Sequence, residues 1–231
     1  MPKRAKSIVR FGRKGTILAV SLPNGALVAI ASGYAAVKTM TAVSNANPGV
    51  ATLAAAHGVV IGDLMEVTSG WSRLTNKIVK AGTVATNDVP LVGIDTLLTS
   101  IYPAAGGTGS IRVISGWTQL AQVLSSGSSG GEQQFTAYQF LESDSEKRIP
   151  TVKSAMGLTF SIADDATQPG YILASAANDD RLPRAVRITL PSGSVLLYNC
   201  YISINKTPSL SINEIMACEV TMSMVAEPTR Y

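Results

Sequence analysis

Leu196-Leu-Tyr-Asn-Cys-Tyr-Ile-Ser-Ile204 is the stretch whose reading decides the fold. Leu196, Tyr198, Cys200, Ile202 and Ile204 fall on one side, with Leu197, Asn199, Tyr201 and Ser203 on the other. A period of two is the signature of a half-buried strand, because successive side chains of an extended chain point to opposite faces. The same period appears on both sides of this stretch. Val186, Ile188 and Leu190 alternate with Arg187 and Thr189, and Pro191-Ser-Gly193 supplies a hairpin turn. Met216, Cys218, Val220, Met222 and Met224 alternate with Ala217, Glu219, Thr221 and Ser223. Leu158, Phe160 and Ile162 alternate with Thr159 and Ser161. The C-terminal third therefore predicts an antiparallel sheet with one buried face.

Upstream, the signals are β as well. Thr16–Leu22 alternates Leu18, Val20 and Leu22 and ends at Pro23-Asn-Gly25. Residues 50–115 read as a small module of short strands over Asp63–Ser69, Asn76–Ala85, Val89–Asp95 and Gly109–Ser115. A Ser/Gly run, Ser125–Gly131, leads to a long pair, Glu132–Glu142 and Ile149–Ala163, around a charged tip at Glu142–Arg148. One helix is expected: Asp164-Asp165 and Pro169 give a capped, acidic start, Tyr171–Ala177 an apolar stripe, and Asn178 a stop. The predicted fold is mainly β, an antiparallel β-sandwich or barrel with one short flanking α-helix, a long hairpin loop and a small inserted β module. Its parts are a basic arm over 1–15, a core from 16–49 and 116–231, and the module over 50–115.

Composition narrows the function. With 46% hydrophobic and 15% charged residues the chain is too apolar for disorder, and it has few charges to cover a free surface. That balance points to burial against partners. Charge is also segregated. The first 62 residues hold seven Lys/Arg and no Asp or Glu, leaving 12 basic against 15 acidic residues in the remainder. The basic arm reads either as a segment docking on an acidic face of a neighbouring subunit or as a nucleic-acid contact. No continuous apolar segment of 18 residues and no leader pattern occur, so assembly in a reducing cytoplasm without a membrane span is expected.

Residues for chemistry are scarce. His57 is the single histidine, which rules out a His-His metal site and leaves any triad resting on one candidate; its turn-like context favours a structural role. Cys200 and Cys218 lie on the apolar sides of their strands and read as core thiols. The Asp164/Asp165 and Asp179/Asp180 pairs read as cap and loop charges. Ala104–Gly109 and Ser125–Gly131 lack the Gly-Lys-Ser/Thr of a phosphate-binding loop. Trp71 and Trp117 read as packing anchors. No enzyme, cofactor or metal site is predicted.

The order of elements over about 132–231 resembles the major tail tube proteins of long-tailed, siphovirus-type bacteriophages. The residues that carry the likeness are Ser161-Ile-Ala-Asp-Asp165 before the helix, Arg187-Ile-Thr-Leu-Pro-Ser-Gly193, Asn205-Lys-Thr-Pro208, and the ending Ala226-Glu-Pro-Thr-Arg-Tyr231. The segment from Ala56-His-Gly58 through Gly62-Asp63 to Ser69-Gly-Trp71 is similar to small β modules of phage structural proteins. The resemblance implies a self-assembling virion protein that forms stacked rings of six, the conduit for DNA ejection. It implies itself, tape measure and tail terminator proteins as partners, DNA passing the lumen without specific binding, assembly in the host cytoplasm, and residence in the virion tail. Assembly contacts are expected at Lys3, Arg4, Arg10 and Arg13 of the arm, at Glu142, Asp144 and Arg148 of the hairpin tip, and at Arg230. The body, freed of the arm's charge, predicts an acidic or neutral lumen. A capsid decoration or head–tail connector protein, and a nucleic-acid-binding β-barrel, are the alternative readings.

Overall fold

The computed structural model describes residues 24–231. The basic arm, with Lys3, Arg4, Arg10 and Arg13, and the expected Thr16–Leu22 strand lie outside the described residues.

The fold is mainly β. Seven strands lie in the first part of the chain: β1 (Leu27–Tyr34), β2 (Lys38–Val43), β3 (Val50–Leu53), β4 (Leu64–Ser69), β5 (Ile78–Ala81), β6 (Asp88–Val92) and the long β7 (Gly109–Leu120). Four more follow: β8 (Val123–Ser129), β9 (Gln133–Tyr138), β10 (Lys147–Lys153) and β11 (Gly157–Ala163). The single helix α1 (Pro169–Asp180) leads into β12 (Arg184–Thr189), β13 (Val195–Asn205), β14 (Ala217–Met224) and the short β15 (Thr229–Arg230). All ladder pairings are antiparallel.

β7 joins two architectures. Its first half pairs with β4 and also with β2, and this closes the circuit β2-β3-β6-β5-β4-β7 into a six-stranded barrel. Closure removes every free edge in that unit. The barrel is filled by Met40, Leu53, Met65, Val67, Leu74, Val79, Leu91 and Ile111, with Trp71 as a plug. Trp71 is 2% exposed, donates from Nε1 to the Pro103 carbonyl at 2.8 Å, and meets the edge of Tyr102.

The second half of β7 pairs with β1 and begins the open path β7-β1-β12-β13-β14-β11-β8. β13 is the fold line of this path. Its residues up to Cys200 pair with β12, whereas Cys200–Asn205 pair with β14. One apolar cluster unites Val28, Ile30, Leu120 and Val186 from the first leaf with Leu158, Phe160, Ile162, Val220 and Met222 from the second. The two leaves thus face each other as a sandwich across a shared core, as the alternating strands predict. Each large side chain buried there contributes about 2–3 kcal/mol.

Helix α1 covers one side of the sandwich through Ala174 and Ala177. Its closeness depends on Gly170, where a Cβ would come 2.9 Å from Leu120 Cα. The helix start differs from the sequence expectation. The carboxylate of Asp165 accepts hydrogen bonds from Thr167 N, Thr167 Oγ1 and Gln168 Nε2 at 3.0, 2.6 and 2.8 Å. It holds a local turn, and Gln168 takes the N-cap position without a side-chain cap. Asn178 does not stop the helix. It ends at Arg181, which is left-handed at φ 56° and returns its N–H to Ala177 O.

A third apolar cluster, Ala31, Ile78, Ile114, Ala185 and Leu197, glues the barrel to the outer face of the first leaf. The layers run in the order barrel, first leaf, core, second leaf. No further layer of strands covers the outer face of the second leaf among the described residues; α1 reaches it at Ser203, whose Oγ donates to Asn178 Oδ1 at 3.1 Å.

Candidate assembly surfaces

The outer face of the second leaf is built by period two alone. Once Leu158, Phe160, Ile162, Cys218, Val220 and Met222 point into the core, their neighbours must point out. The register places Gly127, Thr159, Thr221 and Ser203 in one row across the four strands. The next row holds Ser125, Ser161, Glu219 and Asn205. Short hydroxyl side chains dominate, and Glu219 is the only charged residue in these rows. A shallow depression lined by Ser125, Thr159, Ser161, Ser209 and Glu219 follows the same rows. Such a surface offers hydrogen bonds but no cation to hold an anion.

Both edges of the second leaf lack a partner strand among the described residues, and the C-terminal end of α1 lies beside the β13 edge, where Asp179 Oδ1 is 3.5 Å from Lys206 Nζ. β8 pairs with β11 only, so its other edge has no partner strand among the described residues. β12 leaves β13 at Cys200, so beyond it β13 is paired on one side alone. Reading across the leaf, the strands alternate in direction from β13 to β8. A second copy placed beside the first would therefore meet β8 with β13 in the antiparallel sense.

The long hairpin is the second surface. β9 and β10 form a separate two-stranded sheet beyond the β8/β11 pair. Gly130 and Gly131, at φ +75° and +81°, make the bend between them, and a Cβ on Gly130 would strike the Ala155 carbonyl. The hairpin shows Phe135, Phe140, Leu141, Ile149 and Val152 to solvent. Its base is tied to the body by Lys153 Nζ and Glu227 Oε1 at 2.7 Å, with Lys77 on the other carboxylate oxygen at 4.0 Å. The Lys153 hydrogen bond holds the Glu227 carboxyl below its ordinary range, and Lys153, Lys77 and Arg73 add to the effect.

The residues expected at contacts are dispersed. Glu142, Asp144 and Arg148 are exposed at the hairpin tip, where Arg148 pairs with Glu146 at 3.5 Å. Arg230 lies on a different element, β15, and donates to Ser194 Oγ at 2.9 Å. The apolar hairpin residues escaped the sequence reading, because an exposed strand and a buried one carry the same alternation.

Residues with chemical potential are occupied by structure. His57 is buried in its turn, Nε2 lying 3.0 Å from Thr86 O and Nδ1 accepting from Val59 N. Cys200 and Cys218 are free and buried in the core, and burial pushes the Cys200 thiol up to about 12. Among the described residues no three His, Cys, Asp or Glu converge as metal ligands, and no helix is long and apolar enough to cross a membrane.

Residues 69–231 match the family described as phage tail tube protein, TTP. This chain belongs to that family. It is a structural protein of the phage tail, and the family match takes in the later barrel strands and every strand of the sandwich except β1. No curated protein sequence matches the chain. Among solved structures, the chain is similar to the sheath/tube terminator of the PVC extracellular contractile injection system in its extended state, at 13% identity. That likeness covers 46% of this chain and 83% of the other, with a TM-score of 0.33. It is similar also to the anti-feeding prophage cap (AFP tube terminating cap), at 18% identity over 46% of this chain and 78% of that one, with a TM-score of 0.33. The family assignment rests on the sequence match over 69–231 alone.

Proposed function

We propose that this tail tube protein closes into rings whose second leaves form one continuous, channel-lining β-barrel, and that the rings stack into a conduit for DNA. The observation that carries this reading is the hydroxyl-rich face flanked by two edges that lack a partner strand and have matching polarity. Pairing β8 of one copy with β13 of the next would satisfy the backbone groups that each edge leaves free. With four strands per copy, six copies would give 24 strands. At about 4.8 Å between strands the barrel would measure roughly 35 Å or more between backbones. Three copies would give about half of that, leaving little room once side chains are added.

The rows facing the channel carry Glu219 and no cation, so the lumen is neutral to acidic and repels phosphates instead of holding them. The small barrel, on the opposite side of the sandwich, faces outward. The hairpin tip with Glu142, Asp144 and Arg148 reaches towards the neighbouring ring, and the basic arm supplies further contacts between copies. Assembly takes place in the host cytoplasm, with tape measure and terminator proteins as partners at the tube's core and end. Catalysis has no part in this role.

Negative-stain electron microscopy of the purified protein tests the reading. Stacked rings or tubes with a central channel are the expected result. A protein that stays monomeric at high concentration, or forms rings with the barrel facing the lumen, overturns it.

A further inference from the structure

Of twenty large apolar side chains that are well exposed in the described residues, nine lie in two segments. Five are on the β9/β10 hairpin: Phe135, Phe140, Leu141, Ile149 and Val152. The other four, Leu210, Ile212, Ile215 and Met216, lie in the loop between β13 and β14. Their exposures reach 107% at Leu141 and 92% at Ile212. Monomers rarely leave such groups clustered in water, and clusters of this kind mark contact surfaces.

The register fixes where the two segments sit. Gly157 of β11, at the root of the hairpin, pairs with Ser223 of β14, and Ala163 at the other end of β11 pairs with Ala217. The hairpin therefore leaves the second leaf at one end of its strands, and the 206–216 loop caps the opposite end. The seven residues of β11 separate the two ends by about 20 Å along the strand direction. A chain with unlike sticky surfaces at its two ends associates head to tail. If hairpin met hairpin, the contact would be self-complementary and growth would stop at two layers, whereas unlike ends continue indefinitely.

We infer that the 206–216 loop is the receptor for the hairpin of a second copy in the adjacent ring, with Leu141 and its neighbours packing against Ile212 and Leu210. This rests on the tube reading and names the surface that receives each ring. Each contact is small, but it repeats around the ring, and the repetition multiplies its effect without new area per subunit. Both segments are loops or edge strands with few buried neighbours, so burying them on stacking removes apolar area from water without disturbing the core.

The experiment uses the full chain with Leu141→Asp and Ile212→Asp made separately. Both sites are fully exposed, so the thermal unfolding midpoint should stay at the wild-type value and single rings should persist. The critical concentration for tube growth should rise about tenfold or more in each. A second measurement fixes the pairing. Leu141→Cys and Ile212→Cys proteins, mixed and treated with a short bismaleimide, should link 141 to 212 and give no 141–141 product; Cys200 and Cys218 are buried and add no background. Tubes that grow normally with Ile212→Asp, or a 141–141 cross-link in place of 141–212, overturn this inference and leave the tube reading standing. Wild-type protein that forms neither rings nor tubes overturns both.

Discussion

Asn199 of the sheet donates a hydrogen bond from Nδ2 to Glu66 Oε1 of the barrel at 3.0 Å, across 133 residues of sequence. Both are buried, and the carboxylate's other oxygen accepts from Arg112 Nε at 2.6 Å. Arg112 in turn lies 4.0 Å over the Tyr34 ring, whose hydroxyl accepts from Ala185 N. Asn199 Nδ2 also reaches Asn76 O at 3.0 Å. The network stitches barrel to first leaf where apolar packing alone would let them slide. Burying a carboxylate is tolerable only because every side of it is paired. Glu66→Ala should therefore lower stability by about 2–4 kcal/mol, mostly from the stranded partners, in chemical denaturation. Asn199→Ala should cost about 1–3 kcal/mol, and the double variant should fall short of the sum. Strict additivity would show that the two do not act together.

Tyr231 makes a second stitch. Its hydroxyl accepts from Lys80 N at 3.0 Å and donates to Val92 O at 2.9 Å, bridging β5 and β6, while Thr229 Oγ1 donates to Ile78 O. Tyr231→Phe keeps the ring and removes both bonds. A loss of about 1–2 kcal/mol is expected, with faster hydrogen exchange at Lys80. Unchanged exchange there would rule out the bridge.

Glu227 makes the hairpin's mooring pH-dependent. Its folded carboxyl titrates below the ordinary value because Lys153 donates to it. A depressed folded value means the contribution is present above the unfolded pKa and is lost as pH falls through the folded one. Limited proteolysis of the 130–155 hairpin should therefore accelerate in acid, below the usual carboxylate range. Glu227→Gln should show the faster cleavage at neutral pH and little further change. The pair is half exposed, so global stability should hardly move.

The Cys200 thiol, raised by burial to about 12, cannot supply thiolate at neutral pH, and Cys218 is raised as well. Thiol reagents at pH 8 should leave the native protein unlabelled and modify two groups on denaturation. Rapid native labelling would contradict the packed sandwich core.

Glu219 tests the proposal that the Ser/Thr face lines the channel. Glu219→Lys places a cation among the Ser and Thr rows, on a side chain already exposed, so folding and tube formation should persist. Tubes of this variant should retain duplex DNA in a salt-dependent way that wild-type tubes do not. Equal, weak retention by both would show that the face lies elsewhere.

What the residues revealed depended on the range of the signal. The C-terminal strands were legible because alternation over Leu196–Ile204 and Met216–Met224 is a local pattern that one buried face imposes. The helix was legible from Tyr171–Ala177, but its start was misread. Asp165 has two neighbours within three residues that compete for its carboxylate, and a sequence does not say which bond wins. The hairpin was legible as a pair around a charged tip; that its apolar residues stay in water was not, since period two is blind to what covers a face.

By itself, then, the sequence determined a β-rich body with buried thiols, a lone structural histidine and a family likeness in the order of its C-terminal elements. Only the tertiary structure decided that β7 serves both a closed barrel and an open sheet, and that β13 folds that sheet into a sandwich. It alone set the barrel and the Ser/Thr face on opposite sides. Strand alternation records whether a residue is inside, which neighbouring residues enforce. Closure, layer order and free edges depend on pairings between residues far apart in the chain, and no local pattern carries them.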